Sequence, residues 1–211
     1  MRKFENYQKI YRYIVPLDCQ HPDYRKCHQI QNLFLYFENY LNLTTNQWKR
    51  IANNMAELNL LPCSGKFVQD DLLILLGDIH FMFISLEKAY KIAFRLLLLL
   101  DNKPLYEEAR SSFLYTNVKQ IRNCLEHMDE NLTEKDTKNN HSIQSYGPYT
   151  NWFCQQWGTI ADDKIILGNY SYELSEDSLS PIQSLYDSIL KLIDEKYVLP
   201  NGEDYDMIFK K

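Results

Sequence analysis

The amino-acid sequence predicts an all-α fold, a bundle of roughly five to six helices with a small β-hairpin inserted before the last one. Three observations carry that expectation. Chain breakers are scarce, with 6 Gly and 7 Pro in 211 residues, so long helices go uninterrupted. Apolar residues recur at alternating steps of three and four over long stretches, which is the repeat of one helix face. Hydrophobic residues make up 45% of the chain and charged residues 24%, proportions that suit a polypeptide burying a sizeable core. The shortage of glycine also removes any Gly-rich phosphate cradle. A net charge of -5 argues against coating nucleic acid through bulk positive charge, and leaves only a local basic site for that purpose.

The elements follow in order. Phe4, Tyr7, Tyr11 and Ile14 keep helical spacing until Pro16 ends the run. A polar loop leads to a second helix through Ile30, Leu33, Phe34, Phe37 and Leu41. Thr44-Thr45-Asn46-Gln47 has the Thr-x-x-Gln form of a capping box and predicts a helix start there. Trp48, Ile51, Met55 and Leu58 stripe the third helix, which Pro62 and Gly65 close.

The fourth helix runs from near Val68 to near Asp101, with a seam of Leu72, Leu76, Ile79, Phe83, Leu86, Tyr90, Ala93 and Leu97. Leu73, Met82, Ile84, Phe94 and Leu98 make other faces apolar too, so it belongs at the centre. Glu87, Lys91 and Arg95 mark its polar edge. Pro104 restarts the chain, and Leu114, Val118, Ile121, Leu125, Met128 and Leu132 stripe a fifth helix. Thr159–Leu167 reads as a hairpin turning at Asp162-Asp163. Ser180-Pro181-Ile182-Gln183 opens the last helix, with Ile182, Leu185, Ile189 and Leu192 on one face. The whole reads as one domain over 1–211, with the hairpin insertion at 142–175.

Five cysteines without a CxxC pair, no signal-like N-terminus and no uninterrupted apolar run of about 18 residues point to a cytoplasmic protein with no membrane partner.

The residues that carry chemistry lie on the fifth helix, in Arg122-Asn123-Cys124-Leu125-Glu126-His127. At about 100° per residue, the apolar stripe centres near Ile121 and Leu125, and Arg122 lies about 80° from it. Glu126, Asn123 and His127 follow at about 120°, 180° and 220°, so this polar set faces away from the helix's own core. An imidazole there titrates near neutral pH and suits general acid–base work. A guanidinium two-pronged fork suits a phosphate.

This segment resembles the R-x4-6-H motif of HEPN domains, which are all-α bundles with an up-and-down core. Many members are metal-independent endoribonucleases acting as dimers, and others lack activity. The resemblance implies a homodimer through the helix bearing Arg122 and His127, an RNA substrate, no cofactor, and a role as toxin or antiviral effector with an antitoxin or other protein partner. It implies His127 as acid–base catalyst and Arg122 as stabiliser of the phosphorane-like transition state, with the ribose 2′-hydroxyl as nucleophile. Asn123 and Glu126 are supporting residues: Asn123 orients the imidazole or binds phosphate, and Glu126 pairs with Arg122 or raises the pKa of His127. The alternative is a non-catalytic HEPN-like module for dimerisation or protein interaction.

Other candidates rank lower. Cys19, His21, Cys27 and His28 cluster within ten residues but match no familiar zinc spacing. His80 reads as a core or boundary histidine, or as one facing the site from the neighbouring helix. Trp152, Trp157, Tyr170 and Tyr172 are better placed to form the small core of the hairpin than to stack bases.

Overall fold

A computed structural model describes residues 3–14, 20–60, 69–126, 159–161, 164–167 and 170–200. The fold is an all-α bundle. Its helices among the described residues are α1 (Tyr7–Ile14), α2 (Tyr24–Leu60), α3 (Gln69–Leu99), α4 (Lys103–Ser111), α5 (Phe113–Glu126) and α6 (Ser180–Ile193). A π-helical turn, Asp194–Val198, extends α6. Three strands, β1 (Thr159–Ala161), β2 (Lys164–Leu167) and β3 (Tyr170–Glu173), form an antiparallel meander rather than a lone hairpin. The expected turn residues Asp162 and Asp163 lie outside the described residues, and Ala161 pairs with Lys164 on either side of them.

The second and third expected helices are one. α2 runs unbroken for 37 residues, and Thr44-Thr45-Asn46-Gln47 lies in its interior. No Gly or Pro occurs between Pro22 and Pro62, so nothing stops the helix from propagating once begun. A capping pattern caps only where the backbone has already turned. Here Thr44 and Thr45 are instead buried, at 1% and 5% exposure.

The chain divides into two compact units, one of Met1–Leu43, Lys88–Ser111 and Ser180–Lys211, the other of Thr44–Glu87 and Ser112–Leu179. The first is built around Tyr186 of α6, a fully buried side chain. Phe4 meets its ring edge-on at 4.8 Å, and Phe34 and Phe37 of α2 pack at 5.7 Å. The Tyr186 hydroxyl donates to Glu38 Oε1 at 2.6 Å and accepts from Asn6 Nδ2 at 2.9 Å. Glu38 also accepts the backbone N–H groups of Asn6 and Tyr7, at 2.7 and 3.0 Å, so a buried carboxylate serves the opening turn of α1. Asn42 takes both the N–H and the C=O of Phe4, and Gln31 donates to the C=O of Tyr11.

In that unit α3 ends in a Schellman turn. Asp101 adopts the left-handed φ of 56°, the Asn102 N–H donates to the Leu97 C=O, and the Asp101 N–H donates to that of Leu98. Asn102 then caps α4 through the N–H of Leu105. The sequence reading places no helix at α4, which buries none of its residues and so has no apolar stripe to reveal it.

The second unit joins the remainder of α2 and α3 to α5 and the sheet. Ile165 of β2 sits opposite Ile160 and Tyr172. Tyr172 packs its ring against Phe83 of α3 at 5.0 Å and donates its hydroxyl to the Ser178 C=O. Burial pushes that phenol up to about 12. Asn117 of α5, itself buried, donates to the Ser171 C=O of β3. Asp78 of α3 is 5% exposed and accepts from Arg50 Nε and Asn54 Nδ2 of α2, at 3.0 and 3.3 Å.

Candidate functional site

Ser112 starts α5, accepting the Tyr115 N–H on its hydroxyl at 3.2 Å. Asn117, Val118, Ile121 and Leu125 form the buried face of the helix. These anchors fix the rotation of the helix and with it the direction of Arg122, Asn123 and Glu126.

Arg122 does not stand in solvent. Its side chain is 16% exposed, and Nε donates to Glu87 Oε2 of α3 at 2.9 Å. The Glu87 side chain is only 2% exposed. Nη1 pairs with Glu126 one turn along α5, whose side chain is 38% exposed. The outward face expected for the polar set therefore needs correcting at Arg122. At about 80° from the stripe centre an Arg stands on the flank, and its long stem lets the guanidinium fold back towards the neighbouring helix. Asn123 and Cys124 are half-buried and Glu126 is exposed. Burial pushes the Cys124 thiol up.

Glu87 is the residue that sequence reasoning misplaced. It was expected on a solvated edge with Lys91 and Arg95, which are indeed exposed. A signal existed: α3 is apolar on most of its circumference, so an acid on it has little water to face and requires a cation nearby.

His80 lies two turns before Glu87 on α3. It is half-buried, and its Nε2 is shielded from solvent with no hydrogen-bond partner among the described residues. Burial holds its pKa below the usual histidine value. The Glu126 carboxylate raises it and the Arg122 guanidinium lowers it. The structure thus brings Glu87 of α3 together with Arg122 and Glu126 of α5. His127 lies outside the described residues, as do Trp152 and Trp157.

The remaining candidates are dispersed. His21 is exposed and its Nδ1 accepts the Asp23 N–H at 3.1 Å. Cys27 is buried at 2% exposure with its thiol pushed up by burial, and His28 packs edge-on to Tyr24 at 4.4 Å. Cys19 lies outside the described residues. Among the described residues, no three His, Cys, Asp or Glu side chains are grouped to hold a metal ion. Nor is any helix among them long and apolar enough to cross a membrane. Tyr172 belongs to the core under the sheet, and Tyr170 is half-buried.

No family model, curated protein or solved structure matches the chain.

Proposed function

We propose that this protein is a HEPN-like, metal-independent endoribonuclease whose catalytic pair is Arg122 of α5 and His127, which follows that helix in the sequence. The single observation behind this reading is the fixed guanidinium. Glu87 holds Nε from the buried side, so Arg122 is oriented before any ligand arrives, and preorganised charge is what transition-state stabilisation requires. The 2′-hydroxyl of RNA would attack the adjacent phosphorus and displace the 5′-oxygen. His127 would move a proton in that step, and Arg122 would stabilise charge on the phosphorane. A homodimer through the same helix would bring two such sets together. A cytoplasmic toxin or antiviral effector, held by an antitoxin or another protein, is the setting this chemistry fits.

A second reading has its own observation. Glu87 and Glu126, which pair with Arg122, are both carboxylates, which neutralise the guanidinium and repel phosphate. That favours a non-catalytic helical module in which Arg122 ties α5 to α3. RNA cleavage by purified protein in excess EDTA, compared with His127→Ala, separates the two.

A further inference from the structure

Gln31, Glu38 and Asn42 lie on one side of α2 and bond to the backbone of the segment that carries α1. Asn42 takes the N–H of Phe4 at 3.0 Å and its C=O at 2.7 Å. Glu38, 3% exposed, accepts the N–H groups of Asn6 and Tyr7 at 2.7 and 3.0 Å. The Asn6 C=O accepts from Lys9 and Ile10 and so begins α1. A carboxylate of α2 therefore meets the N-terminal end of that helix, where its unpaired N–H groups and positive dipole end lie. Gln31 donates to the Tyr11 C=O at 2.8 Å. α6 contributes the Tyr186 hydroxyl, which accepts from Asn6 Nδ2, and a ring against which the buried Phe4 packs edge-on. Ile10 and Ile14 are buried as well.

α1 has only 8 residues, too few to stay helical alone in water. Its order comes from the surface it lies on, as the order of a bound peptide does. The hydrogen bonds that hold it join residues 20 to 180 apart in sequence. The same segment arriving from another chain would meet the same groups in the same geometry. We propose that α2 and α6 form a peptide-binding site that takes residues 3–14 of a second copy in place of the chain's own, so that two copies join by exchanging this segment. The site requires the ring of Phe4, the amide of Asn6 and the side chains of Ile10 and Ile14, and it reads Tyr7 and Tyr11 through their backbone. Gln8, Lys9 and Arg12 are exposed and set no requirement.

The exchange involves none of the residues of the ribonuclease proposal, and its test needs no cleavage. Full-length Phe4→Ala keeps the site and weakens its own occupant. A fluorescent peptide of residues 1–14 should bind this variant saturably, and at least tenfold more tightly than it binds the wild type, where the tethered segment competes at roughly millimolar effective concentration. The same peptide carrying Phe4→Ala should bind roughly a hundredfold more weakly, the loss expected when a buried aromatic ring is removed. Energy transfer between labelled Phe4→Ala and Asn42→Ala chains should exceed that within either variant alone, because only the mixture offers an intact segment to an intact site. Absent saturable binding, equal affinity of the two peptides, or no added energy transfer in the mixture would each overturn the proposal. Hydrogen exchange of the wild-type chain decides the matter should Phe4→Ala not fold. The amides of α1 should then exchange together and faster than those of Ile30–Leu41, and equal rates would show that the segment leaves only when the whole unit unfolds.

Discussion

Arg122 and Glu87 are 35 residues apart in sequence and hydrogen-bonded at 2.9 Å, with the carboxylate buried and the guanidinium near the surface. The asymmetry makes the pair unequal to mutation. Arg122→Ala takes the hydrogen-bonded guanidinium away from a buried carboxylate and is expected to cost about 3 kcal/mol. Glu87→Gln keeps a hydrogen-bond acceptor and leaves Arg122 with Glu126, so about 1–2 kcal/mol is expected. Urea unfolding of the two variants measures the difference, and equal losses would contradict it.

His80 links stability to pH. Its folded pKa is lowered, first by burial, so the unfolded state binds more protons around pH 6. The stability from neutral His80 is fully present above the unfolded value of about 6.5 and declines as pH falls through that value to the folded one. Denaturant midpoints at pH 7.5 and 5.5 should therefore differ less in His80→Gln than in the wild type. An unchanged difference would assign the pH dependence to other groups.

The continuity of α2 is open to a sharp test. If a helix began at Thr44, proline at position 45 would occupy the favoured first helical position and be tolerated. In an unbroken helix it removes an interior hydrogen bond and clashes with the preceding turn, at about 3 kcal/mol or more. Thr45→Pro is expected to lower the thermal midpoint strongly and to reduce helical circular dichroism.

Gly77 sits inside α3, and an added Cβ would meet nothing within 4 Å. Gly77→Ala should stabilise the protein by about 0.5–1 kcal/mol, because alanine loses less backbone entropy on entering a helix. Thermal unfolding would reveal it.

Much of the fold was legible because its signals are local. The start of α6 at Ser180, the end of α1 before Pro16 and the apolar stripe of α5 depend on neighbouring residues in the sequence. What was missed depends on tertiary partners. Tyr11 has the spacing of a core residue yet is 44% exposed, while Ile10 beside it is buried. Tyr186, off the expected stripe of α6, is wholly buried because Glu38 and Asn6 satisfy its hydroxyl. Glu87 looked solvated until Arg122 supplied its counter-charge. In the candidate site, the sequence named Arg122 and left His80 open between core and site; the partner that orients Arg122 comes from another helix, and no motif records that.

The central proposal is a metal-independent ribonuclease, and RNA cleavage tests it most directly. Purified protein in excess EDTA should cleave RNA to 2′,3′-cyclic phosphate ends, and His127→Ala should lower the rate about 10²- to 10⁴-fold at unchanged helical content. Cleavage that persists unchanged in His127→Ala, or a folded wild-type protein that cuts no RNA, would contradict it.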